Sequence, residues 1–179
     1  MADLIFSMHQ VHIATSLKWL TAIIFSLFAV CCMARQEKEA TKLTLSISTD
    51  ANVNPDAAQR ASPIKVRIYE LKDSSSFAEA DYFSLDGNDK VVLTGDLLVK
   101  DEYILRPSET RKIERKSHPQ TTAIGILAGY RDLPNSLWRV IYKLPSAPEP
   151  AWYRFAMPAN KTSLLIQLQA QGIVLVEQK

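Results

Sequence analysis

With 179 residues, 47% of them hydrophobic and 22% charged, the chain has the composition of one folded domain plus an export segment rather than that of a disordered protein. Lys and Arg number 21 against 19 Asp and Glu, and a formal charge of +2 is too small to drive binding to a phosphate backbone, which argues against nucleic acid as a partner. The two cysteines, Cys31 and Cys32, are neighbours and badly placed to bridge one another, so the body has no disulfide framework.

From Trp19 to Ala34 no residue is charged, and Lys18 precedes this run, the pattern of a signal peptide. As a helix the run would span roughly 24 Å, short of a hydrocarbon core of about 30 Å, so a permanent membrane span is the weaker reading. Charge returns after the cysteines in Arg35, Glu37, Lys38 and Glu39. The expected organisation is a signal and anchor region over 1–32, a polar tether over 33–40 and a folded domain over 41–179, with Met8 as a second candidate start. A cysteine that closes an apolar run behind a small residue resembles the lipobox of bacterial lipoproteins, in which that cysteine is diacylated and becomes residue one. Cys32 is the preferred site, because modification at Cys31 would place β-branched Val30 beside the cut; Cys31 is the alternative. An uncleaved anchor carrying a thiol pair and a plain secretory peptide are the other readings of this segment. Neither cysteine is followed by Asp, which for a lipoprotein implies the outer membrane rather than retention at the inner one.

In Thr41–Thr49, Leu43, Leu45 and Ile47 alternate with Lys42, Thr44, Ser46 and Ser48, the period of two of a half-buried strand. The same alternation recurs at Ile64, Val66 and Ile68, at Trp138, Val140, Tyr142 and Leu144, and at Leu164, Ile166 and Leu168, each segment with one wet face. Thr121–Tyr130 has small or apolar residues at every position from Ala123 to Gly129 and reads as a central strand. Arg111–Lys116 reads as a weaker, exposed strand. Gly172 interrupts the run Leu164–Val176 and predicts a bulge or kink where the strand crosses between sheets.

One helix is expected, Ser76–Leu85, opened by a Ser-rich cap and ended by Asp86 and Gly87. Val91–Lys100 fits either a second short helix or a strand. Six or more short strands with polar connections make an antiparallel β-sandwich the economical architecture, with one or two short added helices. Two connections are unlike tight turns. Asp50–Pro63 is longer than an ordinary hairpin loop and contains Asn52, Val53, Asn54, Pro55, Asp56 and Arg60; its Asn and Asp can satisfy local backbone groups, its prolines restrict the chain, and Val53 supplies an apolar tip. Pro145, Pro148 and Pro150 stiffen a second loop that leads to Trp152 and Tyr153.

Chemistry is sparse. After the expected cut only His118 remains among the histidines, too few ligands for a zinc site. No Ser sits in a G-x-S-x-G elbow and no glycine-rich phosphate loop occurs, so neither a catalytic residue nor a cofactor or metal site is expected. The carboxylates Glu79 and Asp81, and Asp86 and Asp89, read as solvated rather than as acid-base pairs, and the basic cluster Arg111, Lys112, Arg115 and Lys116 reads as a solvated strand face, with lipid-headgroup contact as its alternative.

Four segments in order carry a resemblance: Asn54–Asp56; Ser62-Pro63-Ile64-Lys65-Val66-Arg67-Ile68-Tyr69-Glu70-Leu71; Phe77 with Ala80-Asp81-Tyr82-Phe83; and Ala128-Gly129-Tyr130-Arg131-Asp132 followed by Trp138-Arg139. Behind a signal peptide ending at Cys, they make the body from about Lys42 to Glu177 similar to the TssJ (SciN or VasD) family, the outer-membrane lipoprotein of the type VI secretion system. The resemblance implies a transthyretin-like β-sandwich with an added helical element and no enzymatic activity. It also implies binding to the periplasmic carboxy-terminal domain of TssM through the loop after the first strand, here Asp50–Pro63, and assembly with TssL into the membrane complex. Tyr130 and Trp138 are expected in the core, with Arg131 and Asp132 in a structural turn. Two alternatives stand beside this one. A generic periplasmic lipoprotein binding a small ligand or peptidoglycan would show a large apolar cavity between its sheets. A transthyretin-related hydroxyisourate hydrolase would need several histidines and a terminal Tyr-Arg-Gly-Ser, whereas this chain ends Val-Glu-Gln-Lys.

Overall fold

Segments whose apolar and polar residues alternate become strands because a pleated backbone sends successive side chains to opposite faces. The computed structural model describes residues 40–145 and 160–178, all within the compact unit Lys38–Lys179. The expectations for residues 1–39, including both cysteines, and for Trp152 and Tyr153 lie outside the described residues. Among the described residues are β1 Lys42–Thr49, β2 Ile64–Leu71, β3 Leu97–Leu105, β4 Thr110–Lys116, β5 Ala123–Ala128, β6 Arg139–Lys143, β7 Lys161–Leu168 and β8 Ile173–Gln178. They form two four-stranded sheets, ordered β4-β1-β7-β8 and β3-β2-β5-β6. Neighbours run antiparallel except at the centre of the first sheet, where β1 and β7 are parallel.

Leu43, Leu45 and Ile47 of β1 and Leu164, Ile166 and Leu168 of β7 face Val66, Ile68, Ile124 and Ile126 of the other sheet, all fully buried. At about 1.5–3 kcal/mol for each large side chain removed from water, this interior dominates the stabilisation. Tyr130 is buried at its edge, and Trp138 packs partly buried against both core clusters. As expected, β5 is a central strand, buried at all six positions.

The second face of the β2–β5 sheet is dry, as the composition of β5 implies but against the expectation of a wet face on β2. Arg67, Tyr69 and Leu71 are buried on that side of β2. A helical insertion covers them: Phe77, Leu85 and Leu93 pack with Tyr69, Leu71, Ala123 and Leu127. The single helix expected over Ser76–Leu85 is two, α1 Ser75–Glu79 and α2 Tyr82–Val92. Ala80 is extended and separates them, and the Asp81 carboxylate accepts a 3.0 Å hydrogen bond from the Ser84 N–H as the cap of α2. Helical geometry breaks at Asn88 (φ -135°, ψ 34°), directly after Asp86 and Gly87 where the helix is expected to end, and a further helical turn then runs on to Val92; Leu85, Asp89 and Leu93 are buried along this stretch. The ambiguous Val91–Lys100 divides accordingly into the end of α2, a turn in which Gly95 adopts φ +85°, and the start of β3.

Gly172 is not a crossover between sheets. It lies in the turn joining β7 to β8, which pair antiparallel within one sheet, and the Gln169 N–H donates to its carbonyl at 2.9 Å. A Cβ there would stand 3.3 Å from Leu137 Cβ, so the glycine permits the close approach of the strand entering β6.

Two further expectations need correction. The basic cluster on β4 is not one solvated face. Arg111 stacks over Tyr103 at 4.8 Å, and Arg115 crosses to the other sheet, pairing with Asp101 and placing Nε 2.9 Å from Glu70 Oε1. Glu70 is fully buried and also accepts from the His118 N–H and the Thr121 hydroxyl at 2.7 and 2.8 Å, which places His118 in a structural loop. Nor are all the carboxylates solvated. Asp89 is 6% exposed and accepts from Lys100 Nζ at 2.8 Å and Tyr69 Oη at 3.2 Å, while Asp86 pairs with Lys65 and Arg67.

Candidate docking surface

Strand directions bring three connections to one end of the sandwich: the β1–β2 loop, the β5–β6 segment and the β7–β8 turn. Between them lies an open groove of about 440 Å³, lined by Asn54, Pro55, Asp56, Ala57 and Gln59 from the first, by Tyr130, Arg131, Asp132 and Ser136 from the second, and by Ala170 and Gln171 from the third. Most of these groups are polar. Leu137, 58% exposed, follows Ser136 as an apolar element beside it.

The β1–β2 loop is folded. Asp50 is fixed to β7, its N–H donating to Leu168 O at 2.9 Å and its carboxylate accepting from Gln167 Nε2 at 2.9 Å. Val53 is not an apolar tip: it is fully buried in the core, and its carbonyl accepts from the Ser62 N–H at 3.1 Å, closing a neck beneath the loop. Asn54, also buried, adopts φ +50°, a left-handed conformation that Asn tolerates better than most residues. Its Nδ2 donates to Pro63 O at 3.0 Å, and its Oδ1 accepts from the Arg131 N–H at 2.8 Å. One side chain thus ties both ends of the loop to the β5–β6 segment.

Above the neck, Asp56 organises a tight turn. Its Oδ1 accepts from the Ala58 and Arg60 N–H groups and its Oδ2 from Arg60 Nε, each at 2.9 Å, and Gln59 at the corner adopts φ +61°. The backbone and side-chain hydrogen bonds from Arg60 hold the Asp56 carboxyl below its ordinary value. Residues 57–61 are exposed, and Asn52 is exposed on the loop's near side. Of the residues expected to make contact, the structure therefore leaves Asp50, Asn52, Pro55, Asp56, Arg60 and Pro63 at least partly accessible and withdraws Val53 and Asn54 into supporting roles. The groove walls on the β5–β6 and β7–β8 connections are invisible in the sequence, because they join the loop only in three dimensions.

As expected, Arg131 and Asp132 form a turn. Asp132 precedes the 3-10 turn Leu133–Asn135, and its carboxylate accepts from Asn135 Nδ2 at 2.9 Å. Tyr130 lies beneath the groove; burial, with the nearby Asp50 charge, pushes its phenol well above the usual range. Among the described residues, no three His, Cys, Asp or Glu side chains come together as a metal site, and no helix is long and apolar enough to cross a membrane.

The chain is thus a two-sheet sandwich with a helical cover on one sheet and a prestructured loop at its end. The family described as type VI secretion lipoprotein, VasD, EvfM, TssJ matches residues 41–171, and the chain belongs to this family. Its members are structural components of the secretion machine, not enzymes. The T6SS lipoprotein TssJ1 from Pseudomonas aeruginosa is 37% identical, with 78% of this chain and 98% of that chain covered and a TM-score of 0.70. Serratia marcescens Lip, a membrane-bound component of the type VI secretion system, is 30% identical over 76% and 97% of the two chains, with a TM-score of 0.69. A structure described as the T6SS protein TssM C-terminal domain (869-1107) from EAEC holds a chain 26% identical over 75% and 97%, with a TM-score of 0.56. No curated protein sequence matches the chain.

Proposed function

We propose that this lipoprotein is anchored through Cys32, or failing that Cys31, to the periplasmic face of the outer membrane and docks the periplasmic C-terminal domain of TssM, and through it TssL and the rest of the membrane complex. The observation that carries the reading is the doubly tied Asn54: it fixes the loop before any partner arrives, so little ordering entropy opposes association. Family membership supports it, as does the similarity to a chain in a structure described by the TssM C-terminal domain. The exposed rim, Asn52 and Pro55 to Ala61 with Arg131 and Leu137, is the surface offered.

Co-purification of the full chain with the periplasmic TssM domain tests the partner, and failure of the two to associate at micromolar concentration would remove it. Val53 and Asn54 support the loop from below, so substitutions at 57 and 58 probe the contact without loosening its base.

A further inference from the structure

At the end of the sandwich opposite the groove, the first sheet carries a row of like charges. Lys42 of β1 is the direct pairing partner of Lys116 on β4 and of Lys161 on β7. All three are exposed and alternate with the inward residues Leu43, Arg115 and Thr162, so their side chains share the outer face. Adjacent strands are about 4.8 Å apart, which puts three ammonium groups on one rung. Like charges directly opposite one another destabilise a sheet. Among the described residues none of the three forms an ion pair, and Glu114, one rung further along this face, is already paired with Lys112 at 2.6 Å. The rung sits at the start of the described domain, and nine residues lie between Cys32 and Lys42, a reach of at most roughly 35 Å when fully extended.

We infer that the Lys42–Lys116–Lys161 rung is a membrane-contact surface that binds the anionic phosphates of phospholipid headgroups beside the lipid anchor. This rests on the anchored reading proposed above. Contact at this end directs the groove, about 25 Å away along β1, off the membrane and toward a partner arriving from the periplasm. Each lysine held near an anionic surface adds roughly a fivefold preference, so three of them set the orientation of the body relative to the membrane.

The test uses the full chain reconstituted with vesicles of phosphatidylethanolamine alone or with a quarter phosphatidylglycerol, with lysine acetylation read residue by residue by mass spectrometry. The inference expects Lys42, Lys116 and Lys161 to be acetylated at least about threefold more slowly on the anionic vesicles, with the protection lost in 0.5 M salt and Lys90 on α2 unchanged. Flotation of the chain with both vesicle types, with equal acetylation, would overturn the rung and leave the anchor standing. Flotation with the anionic vesicles alone would support the rung and remove the anchor, and flotation with neither would remove both. Protection by peptidoglycan sacculi but not by vesicles would assign the rung to the cell wall and overturn the membrane surface.

Discussion

The side-chain carbonyl of Asn54 accepts a hydrogen bond from the backbone N–H of Arg131 across 77 positions of sequence. This contact joins the β1–β2 loop to the β5–β6 segment and makes the end of the sandwich one surface. Replacing Asn54 with Ala leaves the Pro63 carbonyl and the Arg131 N–H unpartnered and puts a Cβ residue less suited to φ +50° at the neck. The expected loss is about 2–3 kcal/mol of stability in urea denaturation, with weaker partner binding. Asn54→Asp keeps the acceptor for Arg131, loses the donor to Pro63, and should fall between Ala and wild type.

Gly125 lies directly under Phe77. A Cβ at position 125 would stand 2.8 Å from Phe77 Cε1, closer than packing allows. Gly125→Ala should therefore cost about 1–3 kcal/mol, and Phe77→Ala about 3–5 kcal/mol. Combining Gly125→Ala with Phe77→Leu should cost less than the sum of the two single changes, since the smaller side chain relieves the clash; additivity in a double-mutant cycle would show that the contact is not the cause.

Acid stability should depend on Asp89. Burial alone would raise the pKa of its carboxyl, but the hydrogen bond and charge of Lys100, with the Tyr69 hydroxyl, hold it below the ordinary carboxylate value. A depressed folded-state pKa contributes stability above the unfolded value, and that contribution is lost as pH falls through the folded one. Asp89→Asn should thus be less stable than wild type at pH 7, with the gap narrowing below about pH 4. Urea midpoints measured from pH 7 to pH 2.5 would show this, and a constant gap would contradict it.

Intact mass of the mature protein reports the anchor. The expected amino terminus is a lipidated Cys32; Cys32→Ser should accumulate unprocessed precursor, and Cys31→Ser should be processed normally. An unlipidated wild-type product would remove the anchor from the proposal.

Strands β1, β2, β6 and β7 are legible because period-two alternation is a local property, and β5 because both its faces are small or apolar; Tyr130 is buried as expected and Trp138 partly so, whereas β3 and the separation of β8 from β7 have no such local signal. Asp86-Gly87 marks a real break at Asn88, but the further helical turn beyond it, which buries Asp89 and leads to buried Leu93, carries no comparable local signal. Gly172 carries no local sign that its neighbour in space is Leu137. Val53 looked like a tip because an apolar residue amid polar ones can point either way, and the core behind β1 decided it. Arg115 was read as solvated for a similar reason: its partners, Asp101 and Glu70, lie on the facing sheet.

The claim that a prefolded loop docks the partner is tested most directly by calorimetric titration of the full chain with the periplasmic TssM domain, comparing wild type with an Ala57→Arg/Ala58→Arg variant. Both alanines are exposed, and arginines there leave the Asp56 turn and the Asn54 ties in place. The expected result is a Kd raised by about tenfold or more at unchanged melting temperature, by steric exclusion at the centre of the contact. Equal affinity for the two proteins would contradict it.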